Sequence, residues 1–264
     1  MVLHMIKAQY VKDLLQKDQR GDGRGLEEYR EIRVETNVFQ NTEGSAIAHI
    51  GDTKVLAAVK VDLAAPFPDR QSEGVLMVGS EFSPISSPDF LPGPPGELSI
   101  ELARVVDRGI RAAGSVDLSK LYVSPGVVLG VFIDIHILDH NGNLQDAAAL
   151  AAAAALRSAI VPKIIPAAKE GERPKLDHEN RTGKLPLGPD VVTCTFDKID
   201  GKIVLDASLD EEYASTGRVT LGSSSNGLIV SAQKSRSAPF SVPELEHLID
   251  LTMERGNDLR KHLR

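Results

Sequence analysis

The clearest pattern in the chain runs from Ile133 to Leu156. Ile133, Ile135 and Ile137 alternate with Asp134 and His136, which predicts a strand with one buried face. An Asn141-Gly142 turn follows, and then alanine or leucine fills every position from Ala147 to Leu156. A helix with no polar face has to be buried. Alanine side chains let backbones approach closely, so this helix is expected to pack tightly on a sheet. Its N-terminal amides point out of the glycine turn, an arrangement suited to an anion.

The remaining elements follow from the same kind of reading. An N-terminal helix has Leu3, Ile6, Tyr10, Val11 and Leu14 as its apolar positions, and a meander of antiparallel strands fills Arg30 to Leu63. Two proline-rich loops, Ala64 to Glu73 and Ser83 to Gly96, are long enough to be functional or to meet a neighbour. From Leu98 to Arg111 the spacing of Leu98, Leu102, Val105, Val106 and Ile110 predicts a second helix. The stretch from Pro166 to Pro189 is rich in Lys, Glu, Arg, Gly and Pro and reads as a linker, dividing the chain into 1–172 and 173–264. Beyond it lie hairpins around Asp200-Gly201 and Ser225-Asn226-Gly227. A final helix follows, capped by Ser241 with Glu244 and expected to bury Leu245, Leu248, Ile249 and Met253. Strand meander followed by helix occurs in both halves, so the fold class is α/β (α+β).

Composition narrows the function classes. At 264 residues the chain supports one large unit or two packed subdomains. A single cysteine, Cys194, excludes an intrachain disulfide framework. With no signal-peptide pattern and no apolar run long enough for a bilayer, a cytoplasmic protein with no membrane contact is expected. The net charge of −7 argues against a protein that is basic overall, and the absence of tryptophan with few other aromatics argues against base-stacking platforms, so any nucleic-acid contact should go through phosphates.

Several clusters are candidates for chemistry. Arg20 and Arg24 stand among three glycines, which reads as a solvated connector. Arg104, Arg108 and Arg111 form a basic ridge on the second helix. Ion pairs Glu101–Arg104 and Asp107–Arg111 would be worth roughly 0.2–0.5 kcal/mol each, yet three arginines against two acids leave a surplus for phosphate. Arg70 lies on a proline-rich loop. His136 and His140 fall on a strand and its turn, which disfavours a shared metal, and neither metal nor cofactor is expected. Asp206, Asp210, Glu211 and Glu212 fit a general acid, a magnesium site or solvated turn acids. Gly222 to Gly227 reads as a loose hairpin loop.

In order and spacing, four groups of residues together resemble the RNase PH family. They are Arg20-Gly21-Asp22-Gly23-Arg24 with Glu28-Tyr29-Arg30, Glu43 to Ala46 with Gly51 to Leu56, the Asn-Gly turn into the alanine helix, and Val204-Leu205-Asp206 with Glu211-Glu212. The run Glu101 to Arg108 is similar to that of the larger RNase PH-like ring subunits of archaeal exosomes. The resemblance implies two βαβα-type subdomains with mixed sheets and packed helices, an alternating hexameric ring, and phosphorolytic removal of nucleotides from RNA 3′ ends.

Active members of that family have a hydroxyl and an arginine in the turn before the buried helix, where they hold inorganic phosphate. Here the positions read Gly142-Asn143-Leu144-Gln145-Asp146. Leu144 offers no hydroxyl and Gln145 no charge, and Asp146 is expected to stand at the helix N-terminus and repel a phosphate at contact distance. Asp206 matches a family catalytic aspartate and Glu212 falls where active members have another, so both read as vestigial acids. The resemblance thus implies a subunit without catalytic residues. It would bind single-stranded RNA through Arg104, Arg108, Arg111 and Arg70, and work beside a catalytic RNase PH-like partner and the exosome's RNA-binding cap proteins. The alternatives are an active phosphate-dependent exoribonuclease using Asp206 and Glu212, or a small-molecule enzyme on the same fold.

Overall fold

The computed structural model describes residues 2–166 and 173–263. Its first half runs α1 (Val2–Leu15), β1 (Ile32–Thr36), β2 (Gly44–Ile50), β3 (Thr53–Ala64), β4 (Val75–Phe82), α2 (Glu97–Ala113), β5 (Tyr122–Ser124), β6 (Val127–Asp139) and α3 (Leu144–Ser158). A hairpin of β7 (Ile160–Ile165) and β8 (Lys175–Lys184) follows. The second half runs β9 (Val191–Ile199), β10 (Lys202–Leu205), α4 (Leu209–Ala214), β11 (Gly217–Ser224), β12 (Ile229–Arg236) and α5 (Val242–Lys261).

Two sheets enclose the middle helices. The first has the order β1-β2-β3-β6-β4 with β5 beside β6, and only its β4–β6 pairing is parallel. The second, β10-β9-β11-β12, is antiparallel throughout. Helix α3 lies against β2 and β3 on one side and β9 on the other, while α5 covers the far face of the second sheet. The alanine pattern is explained by this placement. With a sheet on both sides, every residue of α3 from Asp146 to Leu156 is buried, and only small side chains let both sheets approach. Gly44 of β2 shows how close that approach is, since a Cβ there would stand 2.3 Å from the Ala155 carbonyl oxygen.

In the second half of β6, Ile133, Ile135 and Ile137 are buried, as the alternation predicts, and they face this helix layer; Val128 to Val131 before them are buried without a break. Asp134 and His136 point the other way, onto an outer sheet face that no helix covers.

Three helical stripes differ from expectation. In α1 the buried residues are Val11 and Leu15, packed on Val204 and Ala214, while Ile6 and Tyr10 are exposed. In α5 they are Leu248, Leu251, Thr252, Gly256 and Leu259, with Ile249 exposed, so the inward face is rotated from the predicted one. In α2, Leu98 is exposed. Each helix is covered along a narrower stripe than its apolar residues describe, a choice made by the packing partner, which for α1 is chiefly α4.

Much of the stretch read as a linker is ordered strand. Lys175–Lys184 pairs antiparallel with Ile160–Ile165, anchored where Glu43 of the first sheet meets Arg181 and His178. The boundary expected at residue 172 lies outside the described residues. Ser223 and Ser224, expected in a loose loop, instead finish β11.

Candidate functional site

The turn between β6 and α3 is built from backbone that leans left. Gly142 has φ +87° and Asn143 φ +51°. Gly142 is required twice over, because a Cβ there would also lie 2.3 Å from the Ala207 carbonyl oxygen. Asn143 caps α3 by accepting from the Asp146 amide at 3.4 Å, and its own amide donates to Glu212 Oε1 at 2.8 Å. The amides of the cap residue and of the third helical residue are therefore partnered by protein groups.

Asp146 stands in the first turn of α3, as expected, but does not face outward. Its carboxylate points inward, is 1 % exposed and accepts five hydrogen bonds. Oδ2 takes Tyr29 Oη at 2.8 Å, Asn143 Nδ2 at 3.0 Å and the Thr195 amide at 2.9 Å; Oδ1 takes the hydroxyls of Thr193 at 2.9 Å and Thr195 at 2.8 Å. It ties α3 to the second sheet and does not face an incoming phosphate. Burial pushes its pKa up to about 6, against the pull of the hydrogen bonds from Asn143, Thr195 and Tyr29.

Asp206 lies beside this network and is fully buried. It accepts from Arg24 Nη1 at 2.9 Å, from Asn143 Nδ2 at 2.8 Å, and from the amide, Nε and Nη2 of Arg30 at 2.8, 2.9 and 2.7 Å. Burial alone would raise its pKa, but the hydrogen bonds and charge of Arg30 more than offset that and hold it below the ordinary carboxylate value. The connector reading of Arg20 and Arg24 fails for the same reason. Arg20 is buried, with Nε and Nη2 on Glu211 at 2.9 and 2.6 Å and further bonds to the Leu205 and Asp206 carbonyls. Of the four acids read as a turn cluster, only Asp210 remains exposed enough to suit that description, paired with Lys7 at 2.9 Å.

At the surface above Asp146, Leu144 and Gln145 line a small cleft of about 60 Å³ with Phe82, Phe90, His140, Glu212 and Arg218. Phe90 stacks on His140 at 5.3 Å and meets Phe82 at 4.7 Å with the rings tilted by 44°. Burial lowers the His140 pKa. The cation in the cleft is already neutralised, because Arg218 meets Glu212 at 2.7 Å and Asp197 at 3.1 Å. Among the described residues, no group of three or more His, Cys, Asp or Glu could hold a metal ion.

The ridge arginines are placed differently from one another. Arg111 pairs with Asp107 at 2.8 Å as expected, and also bonds the Leu76 carbonyl. Glu101 takes Gln233 Nε2 at 3.2 Å, not Arg104, whose guanidinium has no partner among the described residues. Arg108 reaches Gln233 Oε1 at 2.7 Å. Arg70, Arg108 and Arg111 converge on one cavity of about 510 Å³ between α2 and β12. Arg104 lines a separate one.

Sequence patterns of the 3′ exoribonuclease family match the chain twice, its first domain over residues 28–162 and its second over 191–255. The chain belongs to the 3′ exoribonuclease, or RNase PH, family. Among its relatives, "Exosome complex component Rrp42" of Thermococcus onnurineus is 43 % identical over 98 % of this chain and 95 % of its own length. The protein of the same name from Methanosarcina mazei is 42 % identical over 98 % and 94 %. A chain of the Archaeoglobus fulgidus exosome with RNA bound to the active site superposes with a TM-score of 0.90 at 38 % identity, covering both chains completely. Rice Rrp46, at 18 % identity, 93 % and 98 % coverage and a TM-score of 0.69, shares the fold.

The sequence reading singled out Arg20, Arg24, Asp206 and Glu212 but not their partners, which are Glu211 for Arg20, Asp206 for Arg24 and Arg218 for Glu212. Thr193, Thr195 and Asp197 were missed altogether. Their spacing of two along β9 was a usable signal, since three polar residues on one face of a strand flanked by valines point to a buried polar cluster.

Proposed function

We propose that this chain is a non-catalytic, RNA-binding subunit of a hexameric 3′–5′ exoribonuclease ring. It alternates there with a catalytic RNase PH-like partner, whose cleft it completes for phosphorolytic RNA degradation. The relatives named as exosome components support the assembly, and RNA-binding cap proteins and single-stranded RNA would be its other partners. A cytoplasmic place of action agrees with the lone, buried Cys194.

The observation that carries the reading is the lining of the turn before α3, which offers a phosphate neither a hydroxyl at Leu144 nor an unpaired cation. Phosphorolysis needs inorganic phosphate held beside a group that moves a proton. At Leu144 and Gln145 the chain presents aromatic walls and an arginine already paired with two carboxylates. Asp206, the acid of the alternative reading, is held ionised by Arg30 and has no surface exposure, which leaves it neither proton nor access. The purified chain alone, incubated with oligoadenylate and inorganic phosphate, should release no nucleoside diphosphate. Release that disappears in Asp206→Asn would overturn the reading.

RNA is expected to lie along the basic side of α2, with Arg70, Arg108 and Arg111 around one cavity and Arg104 free for a phosphate. Replacing Arg104 and Arg108 by alanine should weaken binding of every RNA sequence. It should also lower the slope of log affinity against log salt by about 1.4, at about 0.7 per phosphate contact. An unchanged slope would take both residues off the RNA path.

A further inference from the structure

Where α2 runs beside the edge strand β4, a groove of about 340 Å³ opens. One wall is a single face of α2, with Ile100, Ala103 and Arg104. The floor is the edge of the sheet, where Gly79 sits opposite Asp134 and Glu81 opposite His136 in the β4–β6 ladder, and where Val78, Ser80 and Ile135 also contribute. Two opposite charges line this groove without meeting. Arg104 and Asp134 are both exposed, no ion pair joins them, and among the described residues neither side chain has a partner. His136 is held by Glu81 at 3.5 Å, which leaves Asp134 as the free carboxylate. Such a groove complements a molecule with an anion at one end, a flat middle and N–H donors at the other.

We propose that the groove binds one nucleotide of single-stranded RNA, its phosphate on Arg104 and its base, a guanine, on Asp134. This inference rests on the RNA-binding reading of Arg104. Guanine presents two adjacent donors, N1–H and the N2 amino group, to the two oxygens of a carboxylate. Adenine and cytosine place a ring-nitrogen acceptor beside the amino group, and uracil flanks its one N–H with two carbonyls, so each sets a lone pair against Asp134. A Cβ at Gly79 would stand in ordinary contact with Asp134 Oδ1, at 3.4 Å, so a branched side chain there would reach over the floor.

Fluorescence anisotropy with labelled oligouridylates, differing only in one central guanosine, adenosine or cytidine, tests the assignment. The guanosine oligonucleotide should bind the purified chain about five-fold more tightly, the low end for one bidentate base contact because the groove is open. In Asp134→Asn one oxygen becomes a donor, and the preference should move to adenosine and cytidine. Gly79→Val, which fills the floor, should abolish the guanosine preference without creating another. Equal affinities for all the oligonucleotides, or a guanosine preference that survives Asp134→Asn, would overturn the base site while leaving RNA binding intact. No binding of any oligonucleotide, or uridylate affinity indifferent to Arg104→Ala, would overturn the RNA-binding reading and the base site with it.

Discussion

Asp146→Ala is expected to lower the unfolding free energy by about 3–5 kcal/mol, because it strands five buried donors and leaves a cavity at the junction of α3 and the second sheet. Urea denaturation should show a lower midpoint at unchanged slope. A carboxylate standing at an open helix end would contribute only about 0.3–1 kcal/mol, so the size of the loss separates the inward from the outward placement. The pH dependence gives a second readout. Burial holds the native pKa near 6, above the ordinary value of 3.8, so folding favours the protonated form. That stabilisation is complete below the lower value and is lost as pH rises through about 6. Asp206 has the opposite sign. Its native value lies below 3.8, so its stabilisation is present above that and disappears as pH falls through the native value. The deficit of Asp146→Asn relative to the wild type should therefore widen as pH falls from about 6 to about 4. A deficit independent of pH across that window would contradict the burial argument.

Arg20→Ala should be comparably damaging, at about 3–5 kcal/mol, since it leaves Glu211 buried without its partner and removes the donors to the Leu205 and Asp206 carbonyls. Glu211→Ala should act similarly. The double replacement Arg20→Met with Glu211→Leu should be milder than either single change, because apolar residues of similar volume often substitute for a buried ion pair without loss. Calorimetric midpoints of the four proteins would check this. If Arg20→Ala shifted stability by less than about 1 kcal/mol, a typical ceiling for exposed pairs, the glycine-rich segment would after all be a solvated connector.

These two expectations mark the limit of what could be read beforehand. The alternation of Ile133, Ile135 and Ile137, the Asn-Gly turn and the all-apolar helix were legible because each is a local pattern, with a period fixed by backbone geometry. The cap of α5, Ser241 with Glu244, was legible for the same reason. The buried stripes of α1 and α5 were not, since each helix had more apolar positions than its sheet covers, and only the docking angle selects among them.

At the site itself the division is sharper. Leu144 and Gln145 lack a hydroxyl and a charge whatever the fold, so the sequence by itself determined that these two positions of the turn offer neither group. The tertiary structure alone decided the rest. It turned Asp146 inward onto Tyr29, Thr193 and Thr195, set Arg20 against a glutamate 191 positions away, and closed Arg218 between Asp197 and Glu212. Side-chain identity sets which charges and donors exist. Which of them meet out of water depends on how two sheets close around one helix, and no local period encodes that.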